Sequence, residues 1–170
     1  MRAFTTSYGG ISRELYNTIT VVNKIKNIKK EYKALWDTGA TDTIISKKVV
    51  EECGLIPTSR TSVDTAGGTV TANRYFVDLI LPDNIKINNL MVPELVLSHS
   101  DLLIGMDIIN KGDFSVSNYE GQTKFTFRIP SMAHSDHVEN QTIIHSKKKQ
   151  ERNSLCSCGS GKKYKNCHGK

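Results

Sequence analysis

The sequence predicts a mostly β domain followed by a small, separate C-terminal knuckle. Three observations predict it. Short apolar runs broken by turn residues fill residues 15–130 with little helical periodicity, the alternation ends at Pro130, and three of the four cysteines crowd into the last fifteen residues. A chain of 170 residues has room for one core of ordinary size and a short appendage. Its 38% apolar and 24% charged residues are those of a soluble globular protein, and no run approaches the roughly 18 apolar residues of a membrane-crossing helix. Residues 1–20 hold no continuous apolar segment, so no secretory signal is visible and a cytoplasmic protein with no membrane contact is expected.

Taken in order, residues 1–14 are an N-terminal segment with no assigned element. Residues 19–22 and 34–36 read as strands, the second an apolar approach that stops abruptly at Asp37-Thr38-Gly39. The lysine-rich stretch 23–33 between them suggests an exposed hairpin whose strand ends the sequence does not fix. Residues 43–45 resume the β pattern. Ser46 can then cap a short helix over 47–53 that turns Val49, Val50 and Cys53 to one side, with Gly54 as its left-handed exit and Pro57 as the stop. Cys53, alone in an apolar context, reads as a buried core thiol. Segments 61–63 and 69–71 flank Gly67-Gly68 and predict a hairpin with a pliable tip.

Val77, Leu79 and Leu81 alternate up to a turn at Pro82-Asp83-Asn84, Ile85 and Ile87 return from it, and Leu90 and Val92 lead to Pro93. The apolar run Leu102-Leu103-Ile104 ends at Gly105, and a helix of one or two turns over 107–111 is closed by Gly112. Phe114 and Val116, then Phe125, Phe127 and Ile129, make a last hairpin around Glu120-Gly121. Residues 131–154, rich in His, Ser, Asn and Lys, read as a flexible linker, and 155–170 as the knuckle.

The net charge of +6 is unevenly placed. Residues 131–170 hold eight Lys or Arg against three Asp or Glu, a surplus of five, which leaves a surplus of one for residues 1–130. The basic character therefore belongs to the tail, as a docking surface or as a solvated, solubilising segment, and any nucleic-acid contact would run through the tail alone.

The segment Ala34-Leu35-Trp36-Asp37-Thr38-Gly39-Ala40-Thr41-Asp42-Thr43 sets a carboxylate at the end of an apolar strand, close to a glycine that lets another backbone approach. A carboxylate in an apolar setting must be paired, hydrogen-bonded or neutralised, and nothing before Asp37 supplies a counter-charge. Two such loops face to face would solve the problem, because like charges about 3 Å apart share one proton and titrate as a unit. Asp64-Thr65-Ala66 echoes the motif but has Ala where Gly stands and no apolar lead-in, so it is not counted as a second loop.

With its apolar lead-in, Asp37-Thr38-Gly39-Ala40 joins the glycine-bearing hairpin at 61–72 and Leu103-Ile104-Gly105, and the three together resemble the retropepsin-like aspartic peptidases over residues 15–130. The resemblance implies an acid-protease barrel protomer that forms a homodimer with one active site and cleaves polypeptides. It implies that Asp37 is the catalytic carboxylate, that Thr38 hydrogen-bonds across the dimer, and that Gly39 borders the substrate. Ala40, Thr41 and Asp42 would contact the substrate beside it, Gly67 and Gly68 would form the tip of a closing flap, and Leu103-Ile104-Gly105 would pack beneath the catalytic loop. It implies no cofactor for catalysis. The chain departs from many viral members in having Thr41 before Asp42 where an Asp follows directly, and Gly105-Met106-Asp107 where Gly-Arg-Asn is common.

Cys156, Cys158, Cys167 and His168 offer three thiolates and an imidazole, enough for a closed tetrahedral zinc site, with Gly159 and Gly161 easing the turn between the ligand pairs. The stretch 152–170, including Gly159-Ser160-Gly161-Lys162-Lys163-Tyr164, resembles the SEC-C motif, the zinc-binding tail of the bacterial export motor SecA. The resemblance implies a structural Zn2+ and a docking surface of Lys162, Lys163 and Lys165 through which the tail could contact a ribosome or a chaperone. The glycine spacing and Lys163 exclude a phosphate loop here, and His134 and His137 read as solvated linker residues. The leading expectation is thus a dimeric aspartic endopeptidase directed to its partner by a zinc knuckle. The alternative is a non-catalytic, zinc-dependent adaptor or peptide-binding module.

Overall fold

The computed structural model describes residues 1–65, 67–138, 151–156 and 158–169. The chain divides into two compact units, Met1–Ala133 and His134–Lys170. The middle of the expected linker, 139–150, lies outside the described residues. Among the described residues no helix is long and apolar enough to cross a membrane.

The first unit is mostly β. Its strands are β1 (Arg2–Ser7), β2 (Leu15–Asn23), β3 (Ile28–Trp36), β4 (Ile44–Ile45), β5 (Ser59–Thr65), β6 (Gly68–Leu81), β7 (Ile85–Pro93), β8 (Leu102–Ile104), β9 (Asp113–Ser117) and β10 (Lys124–Ile129), with short helices α1 (Lys47–Glu52) and α2 (Met106–Ile109). Seven strands form one sheet in the order β4-β8-β3-β2-β6-β5, with β7 also paired to β6, and three form a second in the order β1-β10-β9. All pairs are antiparallel except β3 with β8, whose apolar runs lie side by side. That matches the rule that parallel strands are buried ones, since Ala34, Trp36, Leu102 and Ile104 are all core residues.

Alternation explains most of the strands. Tyr75, Val77, Leu79 and Leu81 point inward from β6. On β7 the inward positions change parity, from Ile85 and Ile87 to Leu90 and Val92, and the β6–β7 register shifts between Val77 and Leu79 to accommodate it. Asp78 occupies the irregularity: it is buried, accepts the Asn89 N–H at 2.8 Å and pairs with Lys24 at 2.6 Å. Asn89 there has φ +53, a conformation that Asn tolerates better than most residues.

The lysine-rich stretch forms the exposed β2–β3 hairpin that the sequence suggests, and both strands are longer than their apolar cores. Residues 1–14, where no element is legible in the sequence, contribute β1, which pairs along β10 from Arg2↔Ile129 to Ser7↔Lys124. Ser46 sits at the N-cap of α1 with extended backbone, but its hydroxyl makes no capping bond and stands buried without a partner, so the capping expectation is corrected. Val49 and Cys53 are fully buried beneath α1, and Gly54 exits at φ +58 as expected. Cys53 is a core thiol, pushed up by burial and touching the Tyr32 hydroxyl at 3.4 Å. The helix expected over 107–111 begins one residue earlier and is a single turn.

Candidate functional site

Asp37 is carried by the end of β3, and the aromatic packing of Trp36 fixes where that end lies. The indole stacks at tilted angles against Phe125 and Phe127, with ring centroids 5.0 and 5.1 Å away, and against Phe4 and Phe114 at 6.0 Å. Its Nε1–H donates to Asn17 Oδ1 at 2.9 Å, and Asn17 Nδ2 donates to Thr6 Oγ1 at 2.7 Å. Strands β1, β9 and β10 thus hold the residue next to Asp37 from the second sheet. Large rings of this kind contribute more than their area alone, by about 0.5–1.5 kcal/mol per well-placed pair.

Beyond Trp36 the chain leaves the sheet in a tight loop. Asp37 N–H continues the parallel ladder to Ile104 O at 2.9 Å, Gly39 N–H donates to Asp37 Oδ1 at 2.8 Å, and Ala40 N–H reaches Asp37 O at 3.3 Å. Asp37 is half-buried, and Thr38, Gly39, Thr41 and Asp42 are exposed. One carboxylate oxygen is therefore engaged by its own loop, while the loop's crest faces outward. A recess of about 430 Å³ opens beside it, lined by Arg13, Glu14, Leu15, Leu35, Trp36, Asp37, Thr38, Phe114 and Val116.

The turn from β8 into α2 clamps the other limb of the loop. Met106 N–H donates to Ala40 O at 2.8 Å and Asp107 N–H to Thr41 O at 3.0 Å. The hydroxyl of Thr43, fully buried, donates to Asp107 Oδ1 at 2.7 Å and accepts the Gly105 N–H at 3.2 Å. Gly105 is required for this approach: a Cβ there would lie 2.5 Å from the carbonyl carbon and oxygen of Asp42. The expected packing of Leu103-Ile104-Gly105 against the Asp37 loop is what the chain adopts. Thr43 and Asp107 were not legible as site residues, because they meet only after β8 has paired with both β3 and β4.

Gly67 and Gly68 lie at the end of the β5–β6 hairpin, where Thr65 pairs with Gly68. Thr65 Oγ1 donates to Gly68 O at 2.7 Å and accepts Gly67 N–H at 3.2 Å, and Gly68 has φ +114 with open space around it. Asp64, in the motif's echo, is held by Thr69 Oγ1 on the same hairpin at 2.6 Å. Among the described residues no hydrogen bond joins this tip to the Asp37 loop. A second recess of about 460 Å³ is lined by hairpin residues Thr65, Val70 and Thr71, and by Lys47, Glu94, Leu95 and Val96.

In the second unit the ligand atoms of Cys156, Cys158, Cys167 and His168 all lie within 4.8 Å of one another. Cys156 Sγ is 3.2 Å from His168 Nδ1, Cys167 Sγ is 3.3 Å from the same nitrogen, and Cys158 Sγ is 3.5 Å from Cys167 Sγ. Ligands of one tetrahedral zinc ion, at about 2.3 Å for sulfur and 2.0–2.1 Å for nitrogen, sit about 3.5–3.8 Å apart, so atoms gathered this closely are compatible with one such ion, and the Cys158 and Cys167 sulfurs are too far apart for a disulfide. The scaffold is a two-sided turn: Leu155 bridges to Lys163, Cys156 N–H donates to Lys162 O at 2.8 Å, and Cys167 N–H to Tyr164 O at 3.0 Å. Gly159 and Gly161 take φ +75 and +68, as the turn between ligand pairs requires. The Cys158 backbone N–H lowers the Cys156 thiol, and the Ser160 hydroxyl lowers that of Cys158. Ser160 also acts to lower Cys167, but the Cys158 sulfur, loss of solvent and the Cys156 sulfur together outweigh it and the net shift is upward. Lys162, Lys163 and Lys165 are exposed around the cluster.

The family model described as "gag-polyprotein putative aspartyl protease" matches residues 24–111, just over half of the chain, and the SEC-C motif matches residues 152–170. Over 29 residues, 17% of this chain, the sequence is 72% identical to the protein translocase subunit SecA of Chlorobium limicola. Over 33 residues, 19% of the chain, it is 61% identical to SecA of Borreliella afzelii. These matches span only 3% and 4% of the length of those relatives. Among solved structures, a retropepsin-like aspartic protease from Rickettsia conorii aligns over 74% of this chain and 92% of its own, at 16% identity and a TM-score of 0.48. The EIAV protease in complex with the inhibitor HBY-793 aligns over 61% and 90%, at 14% identity and a TM-score of 0.47.

Proposed function

The chain belongs to the gag-polyprotein aspartyl protease family, and from that premise we propose that it is a homodimeric aspartic endopeptidase with Asp37 as the catalytic carboxylate of each protomer. The support comes foremost from the Asp37 loop, which presents one carboxylate at an outward-facing crest held rigidly from below. One protomer supplies a single such group, and the reaction needs two.

In the proposed mechanism two copies meet at their Thr38 crests, and the two Asp37 carboxylates share one proton because both cannot be ionised at such a short separation. The ionised member takes a proton from a water held between them, and that water attacks the scissile carbonyl carbon. The protonated member gives its proton to the carbonyl oxygen, and proton return to the amide nitrogen releases the two products. Gly39, Ala40, Thr41 and Asp42 would border the extended peptide, and the hairpin carrying Gly67 and Gly68 would close over it as an added strand.

Zinc bound by Cys156, Cys158, Cys167 and His168 would hold the tail in its fold, and the exposed Lys162, Lys163 and Lys165 would bring the peptidase to an anionic partner such as a ribosome or a chaperone. The deciding test of the hydrolytic reading is Asp37→Asn. The variant should fold and dimerise like the parent and cut no unfolded polypeptide; parental cleavage rates in that variant would remove Asp37 from catalysis.

A further inference from the structure

Resting on that hydrolytic reading, we propose that Asp107 is a positioning residue that sets the Asp37 loop from beneath through the hydroxyl of Thr43. Thr43 has no exposure to solvent, so its hydroxyl must find partners inside the protein. It finds two, donating to Asp107 Oδ1 at 2.7 Å and accepting the Gly105 N–H at 3.2 Å. Asp107 returns its own backbone N–H to Thr41 O at 3.0 Å. One side chain thereby ties the descending limb of the loop to the turn after β8, and Asp37 N–H rests on the same strand through Ile104 O at 2.9 Å.

The lattice of bonds has little slack, because the Gly105 Cα sits against the Asp42 carbonyl with no room for a methyl group. Among the described residues no cation lies within salt-bridge distance of Asp107. Its carboxylate thus serves as an acceptor and not as a counter-charge, so an amide oxygen at the same place should do the same work. Removing the acceptor strands a buried hydroxyl, which is costlier than losing the bond alone, and frees the loop to shift.

The test uses the full-length chain, with unfolded β-casein as the probe polypeptide and amide hydrogen exchange as a second readout. Asp107→Ala should lower kcat by about 10–100-fold, as expected for a misplacement approaching 1 Å, with KM within about twofold. Asp107→Asn should restore kcat to within about threefold of the parent, which a requirement for charge would not allow. Thr43→Val, which also takes the acceptor from the Gly105 N–H, should lower kcat at least as far as Asp107→Ala, and the double variant should be no worse than Thr43→Val, since the bond to Asp107 is already gone there. Exchange at residues 40–43 should quicken in Asp107→Ala and not in Asp107→Asn, a readout independent of cleavage. Should Asp107→Ala prove too unstable to purify, Thr43→Val and Asp107→Asn carry the comparison. Parental kcat and exchange in Asp107→Ala or Thr43→Val, or equal damage from Asp107→Asn and Asp107→Ala, overturns the proposal while an inactive Asp37→Asn leaves the hydrolytic reading standing. Full activity in Asp37→Asn overturns both.

Discussion

Replacing Gly105 by alanine should separate catalysis from folding in this chain. The residue has φ −93° and ψ −175°, a conformation open to alanine, so the effect is one of space and not of backbone strain. A Cβ built there lies 2.5 Å from the carbonyl carbon and oxygen of Asp42 and 3.0 Å from Ala40 O. Ordinary contacts of this kind begin at about 3.5 Å, so loop and turn must part by about 1 Å. Parting strains the Met106 N–H bond to Ala40 O and the Asp107 N–H bond to Thr41 O, which set the height of the crest. Overpacking of this sort costs about 1–3 kcal/mol, which a core of this size can absorb as a lowered Tm. A displacement of about 1 Å at a reacting group costs about 100-fold in rate. Thermal unfolding and cleavage of unfolded polypeptide, measured on the same preparation, should therefore show a modest fall in Tm beside a fall of about two orders of magnitude in kcat. Gly121→Ala is the control: Gly121 has φ +72 with open space around it, so alanine there should lower Tm without touching kcat. A Gly105→Ala chain with parental kcat would refute the clamp.

Asp113 gives a pH prediction. The Ser131 hydroxyl, the Met132 N–H and the Arg128 guanidinium hold its carboxyl well below the usual carboxylate range. A depressed folded-state value means that the contribution is complete above the unfolded value, about 3.9, and is lost as pH falls through the folded one. Asp113→Asn should thus lower stability at neutral pH and flatten its decline below about pH 4 in denaturant titrations; an unchanged acid limb would contradict the assignment. For the tail, the purified chain should carry one zinc per protomer by elemental analysis, and Cys158→Ser or a chelator should remove it, since every ligand of a closed structural site is needed. A metal-free parent after purification with zinc present would refute the site.

What the sequence disclosed and what it hid follow from where the signal lies. The Asp37 loop was legible because its chemistry is local: an apolar strand, a carboxylate and a glycine in ten consecutive residues. The β5–β6 and β9–β10 hairpins were legible because turn residues sit between alternating runs. Strand β1 was not, because Phe4 is its one large apolar side chain and the rest of its stability comes from pairing with β10 more than a hundred residues away. The lysines of the β2–β3 hairpin hid its strands for a related reason, since one face of that ribbon is exposed and carries no apolar pattern. Ser46 misled: its type suits a helix cap, but the hydroxyl points into the interior and meets no donor or acceptor. Thr43 and Asp107 are separated by 64 residues, and no local rule joins a buried threonine to the first turn of a later helix.

The demand for two Asp37 residues per active site is tested most directly by mixing parent and Asp37→Asn chains, unfolding and refolding them together, and measuring cleavage against the fraction of parent chain. If the two carboxylates work as one proton-sharing pair, activity follows the square of that fraction, and an equal mixture keeps about a quarter of the parental rate. A linear fall, with about half the rate remaining in the equal mixture, would mean that each protomer acts alone and would contradict the account.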